Sequence, residues 1–296
     1  MYTDGGSDET MSETGKSAFL LIHGAWHGAW CYERVIPWLA RAGHMAAAID
    51  MPGHGLNAKF PRSFLKRPVN LEEFSTEISP LAHLTREDFV ERVTGALDRL
   101  IEGGSGPVVL VGHSAGGMAI TAAGEAAPEK IKKMVYLAAF MPESGVASGR
   151  YIRTPENEGD LLGPLFLGDP AKTGATRIDP RSEDVRYRAQ FKQALYNDVD
   201  DADFEAARNL LTSDYPAKPL GTPIVTTAGR WGSVPRAYVK CLQDNALRPR
   251  LQQHFIDLAD AAMPGKKTEV VSLNRSHSPF LSAPRELAEV LIHLAR

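Results

Sequence analysis

The sequence has little cysteine and no excess of charge of either sign. Its 296 residues include two cysteines, Cys31 and Cys241, and 33 Lys and Arg residues against 36 Asp and Glu residues leave a net charge of −3. Two cysteines are too few for a disulfide framework, which favours a reducing, cytoplasmic location over secretion. The balanced charge produces no field that would attract nucleic acid or an anionic membrane.

Long hydrophobic runs are also absent. No stretch approaches the roughly 18 apolar residues that a membrane-spanning helix needs. Residues 1–16 lean acidic and lack the apolar core of a signal peptide, so we expect a disordered tail there, with Met11 as a hypothetical second start. We therefore expect a small-molecule partner rather than a membrane or nucleic acid, and a homodimer stays open.

Six apolar runs read as strands, and they alternate with helical patterns. The strand segments are 17–22, 45–51, 107–111, 133–140, 235–243 and 268–273. Such continuous runs are typical of strands buried on both faces of a parallel sheet, and the first β–α–β unit implies a right-handed crossover. The pattern predicts an α/β fold over 17–296, with a mostly parallel sheet flanked by helices.

Helices and connections complete this prediction. A helix is expected over 31–42, and a capping box at Thr85 to Asp88 opens another that runs through Ile101. The connection 56–84 is long enough to be functional or mobile. Residues from about 142 to 220 carry two helical patterns and no strong strand run, so they read as an inserted helical cap. A last helix is expected from about 284 to 294.

A serine motif follows the third strand. Gly112-His113-Ser114-Ala115-Gly116 joins an apolar run to a small-residue, helix-compatible segment. A G-x-S-x-G between a strand and a helix is a sharp turn that lifts the serine hydroxyl above the sheet, where it can act as a nucleophile. The flanking glycines give steric room for that strained turn. Ser114 is the predicted nucleophile.

A serine hydroxyl needs a base to remove its proton and an acid to orient that base. His277 lies on the loop between the last strand and the last helix, whereas His254 and His293 fall in helical patterns and read as ordinary boundary residues. Asp244 directly follows the fifth strand, so its side chain is expected at the same cleft. Glu143 is the alternative acid, and a plain turn is the alternative role for Asp244.

The negative oxygen that forms during ester cleavage needs backbone N–H donors, normally one after the nucleophile and one after the first strand. These positions are Ala115 and Ala25. Gly24, Trp26 and His113 are the predicted pocket residues. Trp26 can equally fill the core, and His113 can equally be an ordinary hydrogen-bonded residue.

No metal or cofactor is expected. The histidines and acids do not follow a zinc or two-metal spacing, because His23 and His27 lie on a glycine-containing loop rather than on a helix. The segment 112–117 lacks the Lys-Ser/Thr pair of a P-loop and the spacing of a dinucleotide fingerprint.

Several motifs together resemble a known family. They are Phe19-Leu-Leu-Ile-His-Gly-Ala-Trp-His-Gly-Ala-Trp-Cys-Tyr32, Ala42-Gly-His44, Asp50-Met-Pro-Gly-His-Gly55, the segment 112–117, Leu137-Ala-Ala-Phe-Met-Pro142 and Gly232-Ser-Val-Pro-Arg236. The chain is similar to the α/β-hydrolase group that contains plant methylesterases, hydroxynitrile lyases and bacterial esterases such as pyrethroid hydrolases. The resemblance implies an α/β-hydrolase fold, Ser114, Asp244 and His277 as a triad, and Ala25 and Ala115 as oxyanion donors.

The expected function is a cofactor-free serine esterase that cleaves an apolar, small or medium ester through an acyl-enzyme. A C–C lyase of the hydroxynitrile-lyase kind is one alternative. The lyases of this group carry Thr where this chain has Gly24 and Lys where it has Ser278, so both lyase markers are missing. The other alternative is a slow-turnover ligand-binding protein that keeps the fold.

Overall fold

The computed structural model describes residues 16–296. The predicted tail, with Met11, lies outside these residues except for Lys16. Within them the strands are β1 Ala18–Ile22, β2 Met45–Ile49, β3 Val108–His113, β4 Ile131–Leu137, β5 Ala175–Arg177, β6 Asp214–Pro216, β7 Arg236–Cys241 and β8 Glu269–Leu273. The α-helices are α1 Ile36–Arg41, α2 Arg62–Leu65, α3 Leu71–Thr76, α4 Arg86–Glu102, α5 Gly116–Ala126, α6 Pro170–Thr173, α7 Val185–Leu195, α8 Asp201–Leu210, α9 Ala217–Gly221, α10 Pro249–Ala262, α11 Pro279–Ser282 and α12 Pro284–Leu294.

The six predicted strands form one sheet in the order β2-β1-β3-β4-β7-β8, and every pairing in it is parallel. This confirms the predicted fold class. The apolar runs are continuous because both faces of the sheet are covered. In β3, Leu110 joins the hydrophobic cluster on one face, whereas Val109 and Val111 join the cluster on the other.

The strand order determines where a cleft can form. The chain leaves β1 toward β2 on one side and then returns to β3 on the other side. Loops at the carboxyl ends of β1 and β3 therefore diverge, and ligands of open α/β sheets bind at such a point. The segments that follow these two strands are His23 to Ala25 and Ser114 to Ala115.

Local sequence signals predicted the start of α4 correctly and the start of α1 incorrectly. Thr85 caps α4, because its hydroxyl accepts from the Asp88 N–H at 3.4 Å and the Asp88 carboxylate accepts from the Thr85 N–H at 2.7 Å. The single helix predicted over 31–42 is wrong. A short 3₁₀ segment, Ala29–Tyr32, precedes α1, whose first turn contains Pro37, a residue that has no N–H and suits a helix start.

The chain between β4 and β7 contributes no strand to the six-stranded sheet. Its helices α7 and α8 match the two helical patterns in the sequence. It also contains β5 and β6, which pair antiparallel and which we call the cap ribbon. The sequence pattern missed them because three residues are too few to show a period of two.

A fully buried ion pair ties the cap ribbon to the long connection before α4. Arg177 forms two bonds of 2.8 Å with the carboxylate of its cross-strand partner Asp214, and both side chains are completely buried. The same guanidinium donates to the carbonyls of Phe74 and Glu77. The connection 56–84, which carried little periodicity, is therefore held by α3 against the cap.

Candidate functional site

Ser114 lies at the turn between β3 and α5 and has a φ of 52°. A non-glycine residue in this left-handed region is strained, and such residues concentrate at functional sites. The turn is held from below, because the Ser114 carbonyl accepts from the N–H groups of Gly117 and Phe140, both at 3.0 Å. A β-carbon at Gly116 would lie 2.7 Å from the carbonyl oxygen of His23, so this position needs glycine.

Asp244 and His277 meet in the structure. They follow the adjacent strands β7 and β8, and His277 Nδ1 lies 2.7 Å from Asp244 Oδ2, with both side chains buried. The other carboxylate oxygen of Asp244 accepts from the N–H groups of Ala246 and Leu247 at 2.7 and 2.9 Å. Gln252 donates to Oδ2 at 3.1 Å. The carboxylate is thus fixed beside Nδ1, and Nε2 is the ring nitrogen of His277 that Asp244 does not contact.

The predicted base contacts the residue before the predicted nucleophile, and no hydrogen bond joins the base to Ser114. His113, which directly precedes Ser114, packs its ring 4.6 Å from the ring of His277. Among residues 16–296, neither Ser114 Oγ nor His277 Nε2 has a hydrogen-bond partner, and neither atom is sealed from solvent. In enzymes without bound substrate, such contacts are often long and close only in the complex.

Within the described range 16–296, two residues with unpartnered backbone N–H groups line the same cavity. The N–H groups of Ala25 and Ala115 have no partner in the described part of the chain, and both residues line a cavity together with Ser114. The peptide that carries the Ala25 N–H is held by His23. Nε2 of His23 accepts from the Met51 N–H at 3.0 Å, so the ring proton is on Nδ1. Nδ1 then donates to the Gly24 carbonyl at 2.7 Å.

Burial keeps the surrounding imidazoles neutral. Desolvation, with the nearby His54 as a smaller cause, lowers the pKa of His23 well below 6.5, which agrees with its role as both donor and acceptor. Burial lowers the pKa of His27 to about 3. His27 Nδ1 donates to the Ala25 carbonyl at 2.8 Å, and Nε2 lies 2.7 Å from the Tyr196 hydroxyl. The loop after β1 is therefore fixed by two neutral histidines.

The cavity beside Ser114 has a volume of about 40 Å³, enough for about three water molecules. Its wall is mostly apolar and includes Trp26, Phe140, Ile152, Leu162, Phe166 and Leu220. A second, more open cavity of about 510 Å³ adjoins it and shares part of that wall, including Phe166 and Leu220. The pair can accept a small apolar group deep inside and a longer one toward the surface.

The predicted site residues divide between this wall and the layer behind it. Ala25, Trp26, Ser114 and Ala115 line the cavity. The residues behind it are Gly24, His113, Asp244 and His277.

His113 and Gly24 pack against each other behind the wall. His113 is fully buried and its Nε2 donates to the His277 carbonyl at 2.9 Å. Burial, and then the nearby His277, lowers its pKa well below 6.5. A β-carbon at Gly24 would lie 2.8 Å from both His113 Nδ1 and the β-carbon of Ser114. These positions thus support the serine turn.

Sequence reasoning missed the polar side chains that the cap places in the cavity wall. These are Asn157, Asp160, Thr176 and Tyr215. No periodic signal marks them, because they come from 3₁₀ segments, loops and three-residue strands.

Among residues 16–296, no helix is long and apolar enough to cross a bilayer. Nor do three or more His, Cys, Asp or Glu side chains in that range group as metal ligands.

The protein combines a parallel α/β sheet, a strained serine between a strand and a helix, and a His–Asp pair after two later strands. This combination is typical of the α/β-hydrolase class of folds. Residues 19–290 match the model of the alpha/beta hydrolase family. The chain belongs to that family.

Relatives of known name agree with this membership. Esterase PIR7B of Oryza sativa subsp. japonica is 30% identical over 295 residues, which cover 96% of this chain and 98% of that protein. A candidate methylesterase of Arabidopsis thaliana, methylesterase 11, chloroplastic, is 30% identical over 280 residues; the match covers 94% of this chain but 64% of that protein. The structure of a pyrethroid hydrolase from Sphingobium faniae JZ-2 has a TM-score of 0.74 at 24% identity, covering 95% and 97% of the two chains. At that identity the likeness shows the fold alone.

Proposed function

We propose that this protein is a serine carboxylic-ester hydrolase that cleaves an apolar, small or medium ester through an acyl-enzyme, without a cofactor. The observation that carries the proposal is the buried His277–Asp244 hydrogen bond of 2.7 Å beside the strained Ser114 turn. Relatives that are named esterases support the same chemistry. The apolar wall of the cavity supports an apolar substrate.

The proposed mechanism has two steps. Ser114 Oγ attacks the ester carbonyl while His277 Nε2 takes its proton, and the negative oxygen accepts from the N–H groups of Ala25 and Ala115. The imidazolium, stabilised by Asp244, returns the proton to the leaving alcohol. A water molecule then attacks the acyl-enzyme with His277 as base, releasing the acid and restoring the serine hydroxyl.

Substitution of the nucleophile and of the base tests this proposal. Ser114→Ala and His277→Ala are each expected to lower kcat for a p-nitrophenyl ester by about four to six orders of magnitude. A fluorophosphonate probe should add covalently to Ser114, and peptide mass spectrometry would locate the adduct. Ser105→Ala is a matched control, because Ser105 precedes β3. It therefore lies near the amino-terminal end of this strand, whereas Ser114 follows its carboxyl end. Near-wild-type turnover by either alanine variant would overturn the assignment.

The structure does not favour the lyase alternative. The lyase-type threonine at position 24 would place its β-carbon 2.8 Å from that of Ser114. The hydroxyl of Ser278, where the lyases carry lysine, is fully buried. Offering a cyanohydrin and measuring released cyanide separates the two activities. A ligand-binding protein with slow turnover would instead show a ligand-induced melting shift with little ester cleavage.

A reducing, cytoplasmic location is part of the proposal. Cys31 and Cys241 are both free and buried, and burial raises the pKa of both thiols, so they stay protonated and unreactive. Fractionation of cells that produce the native protein tests the location.

A further inference from the structure

The cap ribbon presents two different faces. Thr176 and Tyr215 are directly opposite each other in its register, next to the pair Arg177 and Asp214. Because side chains alternate along a strand, these two pairs lie on opposite faces. Arg177 and Asp214 form the buried ion pair on one face. Thr176 and Tyr215 line the cavity that Ser114 also lines.

The hydroxyls of Thr176 and Tyr215 have no hydrogen-bond partner among residues 16–296. Thr176 and Tyr215 are only 5% and 3% exposed. In the described part of the chain, neither Thr176 Oγ1 nor Tyr215 Oη makes a hydrogen bond, yet neither atom is sealed off. The backbone carbonyl of Thr176 accepts from Trp26 Nε1 at 3.1 Å. This contact does not use the Thr176 hydroxyl, which remains available. A hydroxyl that has no protein partner in a residue that lines a cavity marks a place where a ligand can complete the bonding.

The neighbours of Tyr215 do not use its hydroxyl. Its ring packs against the rings of His54 and Phe89, at centroid distances of 5.5 and 5.9 Å. Burial raises the pKa of Tyr215, with no hydrogen bond acting against that shift, so the phenol keeps its proton at neutral pH. The hydroxyl is therefore a donor as well as an acceptor, as is that of Thr176.

The other polar groups of the wall are already engaged, and one of them excludes anions. Asn157 accepts from the Arg248 N–H at 2.9 Å and donates to backbone carbonyls. Asp160 accepts from the Gly163 N–H and borders both cavities. Its carboxylate would repel an anionic ligand group, because charges interact strongly where water is scarce. The free hydroxyls therefore suit an uncharged partner.

We propose that Thr176 and Tyr215 form a subsite that binds an uncharged oxygen group, a hydroxyl or a keto oxygen, on an otherwise apolar ester. This inference rests on the proposed function and narrows its substrate class. Ser114, Thr176 and Tyr215 all line one cavity of about 40 Å³, so a single small molecule can contact all three residues. The substrate is then a hydroxy or keto ester rather than a plain hydrocarbon ester.

Two matched ester pairs test the subsite. Methyl 3-hydroxybutyrate against methyl butyrate places the hydroxyl on the acyl side, and 2-hydroxyethyl butyrate against propyl butyrate places it on the alcohol side. The wild type is expected to prefer the hydroxylated member of at least one pair in kcat/KM. Tyr215→Phe and Thr176→Val should each lower that preference by about 3- to 10-fold, as expected for the loss of one neutral hydrogen bond. Because both rates are measured on one preparation, partial misfolding cancels from the ratio.

Two control variants remove hydroxyls of the same kind that already have protein partners. Tyr187 donates to the Leu165 carbonyl at 2.9 Å, and Thr173 donates to the carbonyls of Asp169 and Ala175 at 3.1 and 3.0 Å. Tyr187→Phe and Thr173→Val should leave the preference unchanged. If the preference in both ester pairs is the same in wild type, Tyr215→Phe and Thr176→Val, the two hydroxyls serve only the packing of the cap and the subsite is overturned.

Failure of the subsite can be told apart from failure of the proposed function. If the wild type cleaves neither these four esters nor a p-nitrophenyl ester, the esterase proposal fails. Binding then tests the subsite alone, through the melting shift caused by 3-hydroxybutyramide compared with butyramide. A larger shift with the hydroxyamide that disappears in Tyr215→Phe and Thr176→Val supports the subsite, and equal shifts in all three proteins overturn it.

Discussion

Mild acid is expected to destabilise this fold strongly, because four imidazoles are buried in the neutral state. His23, His27, His54 and His113 are at most 3% exposed. Burial lowers the pKa of His27 to about 3 and of His54 to about 4, and it lowers the pKa of His23 and His113 well below 6.5. For His54, a bond to the Pro52 carbonyl offsets part of the effect of burial.

The sign and size follow from proton binding. In the unfolded chain each imidazole takes up a proton as the pH falls below about 6.5, whereas in the folded chain these four do not. Stability is therefore full above that pH and is lost as the pH falls toward the folded pKa values. Each histidine costs about 1.4 kcal/mol at pH 5.5, so the four together remove roughly 5 kcal/mol between pH 7.5 and 5.5. Native proteins are stable by about 5–15 kcal/mol, so this loss removes roughly a third or more of the free energy of unfolding.

Urea unfolding at pH 7.5, 6.5 and 5.5 measures this loss directly. His54→Asn is the informative variant, since His54 has no place in the proposed chemistry. It should reduce the pH dependence by about a quarter, whatever it does to stability at pH 7.5. His293→Gln, which removes an exposed imidazole on α12, is the control. An unfolding free energy that stays constant between pH 7.5 and 5.5 would refute the reasoning.

Three further substitutions test the proposed site with a p-nitrophenyl ester. Asp244→Asn should lower kcat roughly 10³- to 10⁴-fold, since an amide does not hold the correct tautomer of His277, and an unchanged kcat would contradict this. His23→Leu frees the Gly24 peptide and should lower kcat about 10- to 100-fold with little change in KM; an equal rise in KM would point to substrate binding instead. Gly24→Ala places a β-carbon 2.8 Å from that of the serine and should lower kcat at least about tenfold, whereas Gly265→Ala, with open space around it in the loop before β8, should be neutral.

The parts of the fold that the sequence predicted are those with strong local patterns. The six long apolar runs can bury all their side chains only in a sheet that is covered on both faces. The Thr85 capping box is complete within four residues. Strand ends were less predictable. The fourth strand was expected to reach residue 140, but it ends at Leu137 because Ala138 adopts a φ of 41°. That backbone turn leaves no mark in the hydrophobicity pattern.

The candidate site shows the same division. Ser114, Asp244 and His277 follow strands, so their positions could be inferred from the order of the elements along the chain. The hydroxyls of Thr176 and Tyr215 meet through pairing between two three-residue strands. Such pairing depends on the packing of the whole cap, because the sequence of a short strand does not determine its register. The support from His23 was equally hidden, because it needs the Met51 N–H from the next strand's end.

The contact of Arg177 with the carbonyls of Phe74 and Glu77 has a consequence for protein engineering. A designer who exchanges caps among relatives would naturally cut the chain near residues 142 and 220. Such a graft would carry the buried guanidinium away from two of its acceptors and leave it under-satisfied in its new host. The transplantable module is therefore discontinuous, and it comprises the cap together with the helix Leu71–Thr76 on which the cap rests.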